Sequence, residues 1–370
     1  MKLREIFLKG FKSVDGAEGQ TLSLGDVTVL LGANGSGKSN LVSFFAMLHS
    51  MTTGTLQQFV GRQGVSRLLF YGPKQTESIS FELRCESGDA RRSYGATLSY
   101  GMPDRLFIGD ETITIQRTGD ASTEAYSLGS GGSESGLKKD KRPAGKELYA
   151  LLSGVRTYQF HDTSDTAKIR DRGYVDDAGG LRGDAGNLAA FLKMLQGNDE
   201  YEKFYERIVR RIRRVMPQFG DFDLKPVPGN EDYVRLNWKD SSGSGYLFGP
   251  DQISDGSLRF MALATLLLQP AELLPGVIVL DEPELGLHPA AIAELGGIVR
   301  SAAQKTQVVL ATQSTRLIDE FPPEDLVIVE RDEKKRSTVF RRLDAERLKD
   351  WLDRYSLSEL WEKNVLGGRP

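Results

Sequence analysis

The segment Gly32-Ala33-Asn34-Gly35-Ser36-Gly37-Lys38-Ser39 constrains this chain more than any other. It matches G-x-x-x-x-G-K-[ST] and lies between the apolar run Val27-Thr28-Val29-Leu30-Leu31 and a stretch of helical composition from Lys38 to His49. In a strand, glycine-rich turn and helix of this kind, backbone N–H groups converge on a phosphate and the helix adds its positive end. Lys38 is expected to reach the β- and γ-phosphates, and Ser39 to offer its hydroxyl to Mg2+. Several charge-assisted hydrogen bonds of roughly 1.5–3 kcal/mol each hold a triphosphate firmly. The expected lining is Gly32, Asn34, Gly35, Ser36, Gly37, Lys38, Ser39 and Asn40.

A second motif fits the first. Val277-Ile278-Val279-Leu280-Asp281-Glu282 reads as a buried strand ending in two adjacent carboxylates. Asp281 is expected to orient Mg2+ or its water, and Glu282, one residue farther, to polarise an attacking water as general base. A third element, Ile253-Ser254-Asp255-Gly256-Ser257, opens an apolar helical run 27 residues before Asp281, counted from Ser254. Ser254 and Gly256 expose a hydroxyl and free N–H groups at the positive end of a helix, an anion site with no phosphate of its own in that half of the chain. Such a helix makes sense if it faces a nucleotide held by a second subunit.

Composition closes off other classes. The 370 residues carry 48 Lys and Arg against 51 Asp and Glu, a net charge of −3, which argues against a chain coated in positive charge for gripping nucleic acid everywhere. One cysteine, Cys85, excludes an internal disulfide framework, and the scattered His49, His161 and His288 speak against a histidine-rich metal site. His288, within the Leu-His-Pro turn, reads as a helix-entry residue rather than a ligand or base. The charged start Met1 to Ile6 lacks the apolar stretch of an export signal, and Pro and Gly interrupt the most apolar segment, Met261 to Leu280. A cytoplasmic protein without a membrane segment is expected.

The fold class expected is α/β, a P-loop NTPase with core elements at both ends of the chain and inserted β-rich and helical lobes. Residues 1–75 and 251–345 would form the nucleotide-binding head, 76–250 the insertion and 346–370 a helical cap. Within the insertion, alternating stretches at 78–83 and 112–115 predict antiparallel strands, and the Gly- and Ser-rich composition of 118–145 predicts a flexible loop. Helices are predicted from Asn187 to Gln196 and from Tyr201 to Met216. In the second, Tyr201, Phe204, Tyr205, Ile208, Ile212 and Val215 form one face and Arg207, Arg210, Arg211, Arg213 and Arg214 occupy the rest. Those arginines are either a phosphate-contacting surface or a solvated face balanced by Glu202 and Glu206.

Together with the opening segment Leu8-Lys9-Gly10-Phe11-Lys12-Ser13 and Asp281-Glu282-Pro283-Glu284-Leu285-Gly286-Leu287-His288-Pro289, these motifs resemble the ABC-type ATPases of the RecF/SMC/OLD group. The chain is most similar to the small stand-alone RecF-like ATPases of the AAA-type core, AAA_21. The resemblance covers both terminal segments well and the middle only loosely. It implies a head of the ABC-ATPase type in which two copies close on two ATP molecules, with Ser254 and Gly256 touching the γ-phosphate across the dimer. It also implies ATP hydrolysis in DNA repair, double-strand break metabolism or genome defence, with DNA and a protein partner as further ligands. Ala311-Thr312-Gln313-Ser314 resembles the switch segment, but Gln313 stands where such ATPases usually carry histidine. Glutamine donates a hydrogen bond to a γ-phosphate yet does not titrate near neutral pH, so hydrolysis is expected to be slow. Gln159, His161 and Asp162 are open alternatives for the Q-loop. The 57 residues after Gln313 are too few for the acidic metal-binding domain of OLD nucleases. The competing expectation is an ATP-gated switch that holds or releases a protein partner, with hydrolysis as reset. A transporter subunit is disfavoured by the long separation between Lys38 and Ser254.

Overall fold

The computed structural model describes residues 1–88, 90–119 and 122–368. Along the chain, β1 (Lys2–Lys9) and β2 (Gln20–Ser23) lead into β3 (Val27–Leu31) and helix α1 (Lys38–Thr53). Four strands follow, β4 (Ser78–Ser87), β5 (Ala90–Gly101), β6 (Arg105–Arg117) and β7 (Thr123–Gly129), then α2 (Pro143–Ser153) and β8 (Val155–Tyr158). Helices α3 (Leu188–Gln196), α4 (Glu202–Val215) and α5 (Asp255–Leu268) precede β9 (Val277–Asp281), α6 (Pro289–Ala302) and β10 (Gln307–Thr312). The chain closes with β11 (Leu326–Asp332), β12 (Ser337–Arg342), α7 (Ala345–Leu352) and α8 (Leu357–Glu362).

The apolar runs of the sequence meet in one sheet, ordered β12-β11-β3-β10-β9-β8. All its pairings are parallel except that of β12 on β11. Every residue of β3, β9 and β10 is buried, because both faces of this sheet are covered. Leu30, Val279, Val309 and Val327 pack towards α1 and the antiparallel sheet that includes β1 and β4, while Val29, Ile278, Leu310 and Ile328 pack towards α3, α5 and α6. Burial of a branched aliphatic side chain is worth about 1.5–3 kcal/mol, so this double-sided sheet anchors both cores.

The register of this sheet decides which residues share an edge. Asp281 pairs with Ala311, Leu280 with Tyr158 and Leu31 with Thr312. The residues that come next, Glu282, Gln159, Gly32 and Gln313, therefore leave the sheet at one edge, outside the carboxyl ends of its parallel strands. In open α/β sheets that edge is where ligands bind.

The second sheet is antiparallel, ordered β2-β1-β4-β5-β6-β7. Its pairings show that residues 78–129 extend a sheet begun by the first strand of the chain, and β8 belongs to the parallel sheet. The sheets thus do not follow the expected division at residue 76. A lobe is set apart only where short strands and helices between about 160 and 250 cover one face of the parallel sheet. The expectation of a flexible loop over 118–145 also needs correction. Asp120 and Ala121 lie outside the described residues, but Thr123–Gly129 is a strand paired with β6, and α2 begins at Pro143. The segment is held by polar contacts that composition hides. Glu134 accepts hydrogen bonds from the backbone N–H groups of Leu56 and Gln57 at 2.9 and 3.1 Å, and buried Glu111 accepts from Tyr94 Oη at 2.6 Å and from Gly136 N at 2.8 Å.

The helices expected over 187–196 and 201–216 agree with the structure to within a residue at each end, whereas α1 runs four residues beyond His49 to Thr53. Tyr205, Ile208 and Ile212 of α4 are buried as the spacing requires. Of its arginines, Arg211 and Arg214 pair with Glu294 of α6, Arg210 pairs with Glu206, and Arg213 donates to the Gly220 carbonyl. In the C-terminal cap Leu357, Leu360 and Trp361 are buried, whereas Trp351 is exposed. Among the described residues no helix is long and apolar enough to cross a membrane.

Candidate functional site

The phosphate loop begins where β3 ends, and its glycines are set by geometry. Gly35 and Gly37 have φ of +79° and +113°, a region that side chains with a Cβ avoid. A Cβ on Gly37 would lie 2.1 Å from Thr338 Oγ1, and one on Gly32 would lie 2.3 Å from the Val329 carbonyl. The loop is braced from the far end of the chain: Thr338 of β12 donates to the Ser36 carbonyl at 2.7 Å and to Ser13 Oγ at 2.8 Å, and Asn40 donates to Ser13 Oγ at 2.7 Å.

Lys38 is buried, with its ammonium on the loop's own carbonyls, Gly32 O at 2.7 Å and Ala33 O at 3.0 Å. Loss of hydration lowers its pKa, and the nearby carboxylates of Glu282, Asp281 and Glu284 oppose that shift. Ser36 Oγ is buried and has no hydrogen-bond partner among the described residues. A confined cation, an orphaned hydroxyl and a loop without room for a Cβ at Gly32 and Gly37 are what a bound triphosphate would satisfy.

Across the cleft, Asp281 ends β9. Ser39 Oγ donates to Asp281 Oδ1 at 3.4 Å, and Gln159 Nε2 donates to Oδ2 at 3.0 Å. Ser39 and Asp281 offer the hard oxygen ligands that suit Mg2+, which keeps several waters and shares phosphate oxygens. They fit that ion as an alcohol and carboxylate pair. Of the three Q-loop alternatives, Gln159 is the one whose side chain reaches the Asp281 carboxylate. His161 contacts the Asp281 carbonyl through Nε2 at 2.9 Å, and exposed Asp162 turns back to Ser164.

Glu282 is one of the non-glycine residues with positive φ, at +46°, held by its N–H to the Ala311 carbonyl at 2.8 Å. Such a backbone costs about 1–3 kcal/mol and persists where the surroundings impose it. Gln313 Nε2 lies 3.4 Å from Glu282 Oε1. The turn carrying Gln313 is pinned from below. Buried Glu284 accepts from Thr312 Oγ1, and Ser314 N donates to that same hydroxyl at 2.9 Å. Burial pushes the Glu284 carboxyl above its ordinary value.

Ser254 stands apart from this cluster. It is exposed and caps α5, accepting from Ser257 N at 3.3 Å and donating to Ser257 Oγ at 2.9 Å. Gly256 lies so close to the Gly286 carbonyl that a Cβ would come within 2.4 Å of it. His288 caps α6 and accepts from Ala290 N.

Residues 27–319 match the family described as "AAA domain, putative AbiEii toxin, Type IV TA system", AAA_21. The chain belongs to that family. No curated protein matches it. The fold of this AAA_21 chain is that of solved SMC heads. One is the Smc head bound to the C-winged helix domain of ScpA, with a TM-score of 0.57 at 14% identity over 94% of this chain and 99% of that one. Another is the Smc head domain with an extended coiled coil bound to the C-terminal domain of ScpA, derived from Pyrococcus furiosus, with a TM-score of 0.57 at 13% identity over 95% and 98%. The AAA_21 chain thus shares its fold with the SMC heads and carries an AAA domain by family.

Residues that sequence reasoning missed include Thr338, Ser13, Glu284, Arg170 and Arg259. Ser13 and Glu284 lie inside the motif segments, where a hydroxyl or carboxylate near a phosphate loop is a usable signal. Thr338 carries none, since it reaches the loop only through the pairing of β12.

Proposed function

We propose that this AAA_21 chain binds ATP with Mg2+ and hydrolyses it in a dimer of two heads. The observation that supports this reading best is the convergence, at one edge of a parallel sheet, of Lys38, Ser39, Asp281, Glu282, Gln159 and Gln313. The loop N–H groups and Lys38 would hold the β- and γ-phosphates, and Asn34 and Asn40 would flank them. Ser39 and Asp281 would hold Mg2+, which supplies charge neutralisation between the phosphates. Glu282 would take a proton from the attacking water, and the Gln313 amide would fix that carboxylate and donate to the γ-phosphate oxygen.

In this reading Ser254 and Gly256 act in trans. Both sit at the start of a helix of 14 residues, exposed or half-buried, and among the described residues the hydroxyl of Ser254 is bound only within its own first turn. The family's description as a toxin–antitoxin component favours genome defence over DNA repair as the setting. A protein partner is supported by the ScpA-bound heads of the same fold. DNA remains a proposed ligand, for which the paired arginines of α4 give little support.

A second reading has one specific observation in its favour. Gln313 cannot take up a proton, and its amide engages the carboxylate proposed as base, an arrangement suited to slow turnover and to a switch that ATP closes. Phosphate release and ATP binding by the parent chain, Lys38→Ala and Glu282→Gln test the proposal. Release by the parent, lost binding in Lys38→Ala and retained binding without release in Glu282→Gln are expected. A parent chain that binds no ATP would sink it.

A further inference from the structure

The side chain of Arg259 joins three parts of the site: helix α5, the segment after Gln159 and the turn after Glu282. It belongs to the second turn of α5, five residues after Ser254. Its Nε donates to the Phe160 carbonyl at 3.1 Å, and Nη2 donates to the His161 carbonyl at 2.9 Å and to Thr163 Oγ1 at 3.0 Å. Nη1 donates to the Leu285 carbonyl at 3.1 Å. One planar guanidinium thus binds the segment that begins at Gln159 and the turn that follows Glu282.

The neighbourhood is shaped to admit it. Gly286 has φ of +74°, and a Cβ there would come within 2.3 Å of Arg259 Nη1. Gly256 lets the first turn of α5 rest on the same peptide. On the other flank, buried Arg170 donates to Thr163 O at 2.8 Å, to Ile253 O at 3.1 Å and to Asp255 Oδ1 at 2.7 Å. The start of α5 is therefore tied through arginines to residues 160–163. That segment in turn holds Asp281 by the Gln159 amide and the His161 ring. A guanidinium fork fixes direction as well as distance, which a lysine ammonium on a flexible stem does not.

We propose that Arg259 is a positioning residue that couples the metal-side residues Gln159 and Asp281 to the placement of Ser254 and Gly256. Occupation of the phosphate loop shifts Gln159 and the 160–163 carbonyls, and Arg259 carries that shift to the first turn of α5. Without it the loop still binds nucleotide, but α5 no longer responds. This inference rests on the nucleotide reading of the phosphate loop and adds a named link to it.

Hydrogen exchange of the full chain, with and without ATP and Mg2+, reads the link without requiring turnover. In the parent, nucleotide is expected to change exchange both at 159–163 and at 254–258. In Arg259→Lys and Arg259→Gln the change at 159–163 should persist, with ATP affinity within about threefold of the parent, while the change at 254–258 is lost. Thr163→Val, which removes one acceptor and keeps the guanidinium, should give a reduced response at 254–258, and it decides the matter should both arginine variants fail to fold. Variants that respond like the parent at both segments overturn the role of Arg259 alone. A parent in which neither segment responds overturns the nucleotide reading.

Discussion

The side-chain amide of Gln313 lies 3.4 Å from the carboxylate of Glu282, so that a donor unable to titrate faces the group proposed to activate water. The two are delivered by neighbouring parallel strands whose ends are in register at Asp281 and Ala311. Gln313→Leu should lower the rate of ATP hydrolysis about tenfold and leave KM nearly unchanged, as expected for a donor used in the transition state. Glu282→Gln should cost on the order of 10²–10⁴ in rate with ATP binding retained. Steady-state phosphate release distinguishes the two. Equal rates in all three chains would remove both residues from the chemistry.

The loop geometry makes the two central glycines unequal. Gly35→Ala puts a methyl group into open space at positive φ, a cost of about 1–2 kcal/mol. Gly37→Ala adds a collision with Thr338 Oγ1 and disturbs the bond to the Ser36 carbonyl. Titration with a fluorescent ATP analogue should show modest loss for the first and no measurable binding for the second. Comparable losses would mean that the brace from β12 is unimportant.

Glu284 gives a pH signature. Burial raises its carboxyl pKa, so the folded chain holds that proton more tightly than the unfolded chain does. The stability it contributes is present below the ordinary value of 4.5 and is lost as pH rises through the folded value. Glu284→Gln keeps an acceptor for Thr312 and removes the buried charge. Its melting temperature relative to the parent should be higher at pH 7 than at pH 4. An unchanged difference across that range would contradict the assignment.

His49 has the opposite sign. Burial, and then the adjacent Arg156 cation, depress its pKa to about 4, and Arg156 Nη1 lies 2.8 Å from its Nδ1. The unfolded chain binds the proton first, so stability falls as pH drops from 6.5 towards 4. After solvent screening the effect is on the order of 1–2 kcal/mol. Thermal melts of His49→Gln should show a shallower decline over that window than those of the parent.

The elements that were legible in the sequence share a physical cause. Strands buried on both faces are written as unbroken apolar runs, so β3, β9, β10 and β11 were visible, and a phosphate loop needs glycine at fixed places. Polar contacts between distant segments leave no periodic trace. Glu111, Tyr94 and Ser135 hold the hairpin around residue 130 beneath a Gly- and Ser-rich stretch that reads as a flexible loop. Gln159 could not be told from His161 or Asp162 until β8 was seen beside β9. The reach of Arg259 depends on a long side chain whose target lies about a hundred residues earlier. The exposed Ser254 was legible as a helix cap, and its proposed partner is another molecule.

Light scattering of Glu282→Gln, with and without saturating ATP and Mg2+, tests the central claim most directly. A doubling of mass on adding nucleotide, abolished by the further change Ser254→Arg, is the predicted result. A single-copy mass at saturating nucleotide, with ATP shown to be bound, would contradict a site completed by a second copy.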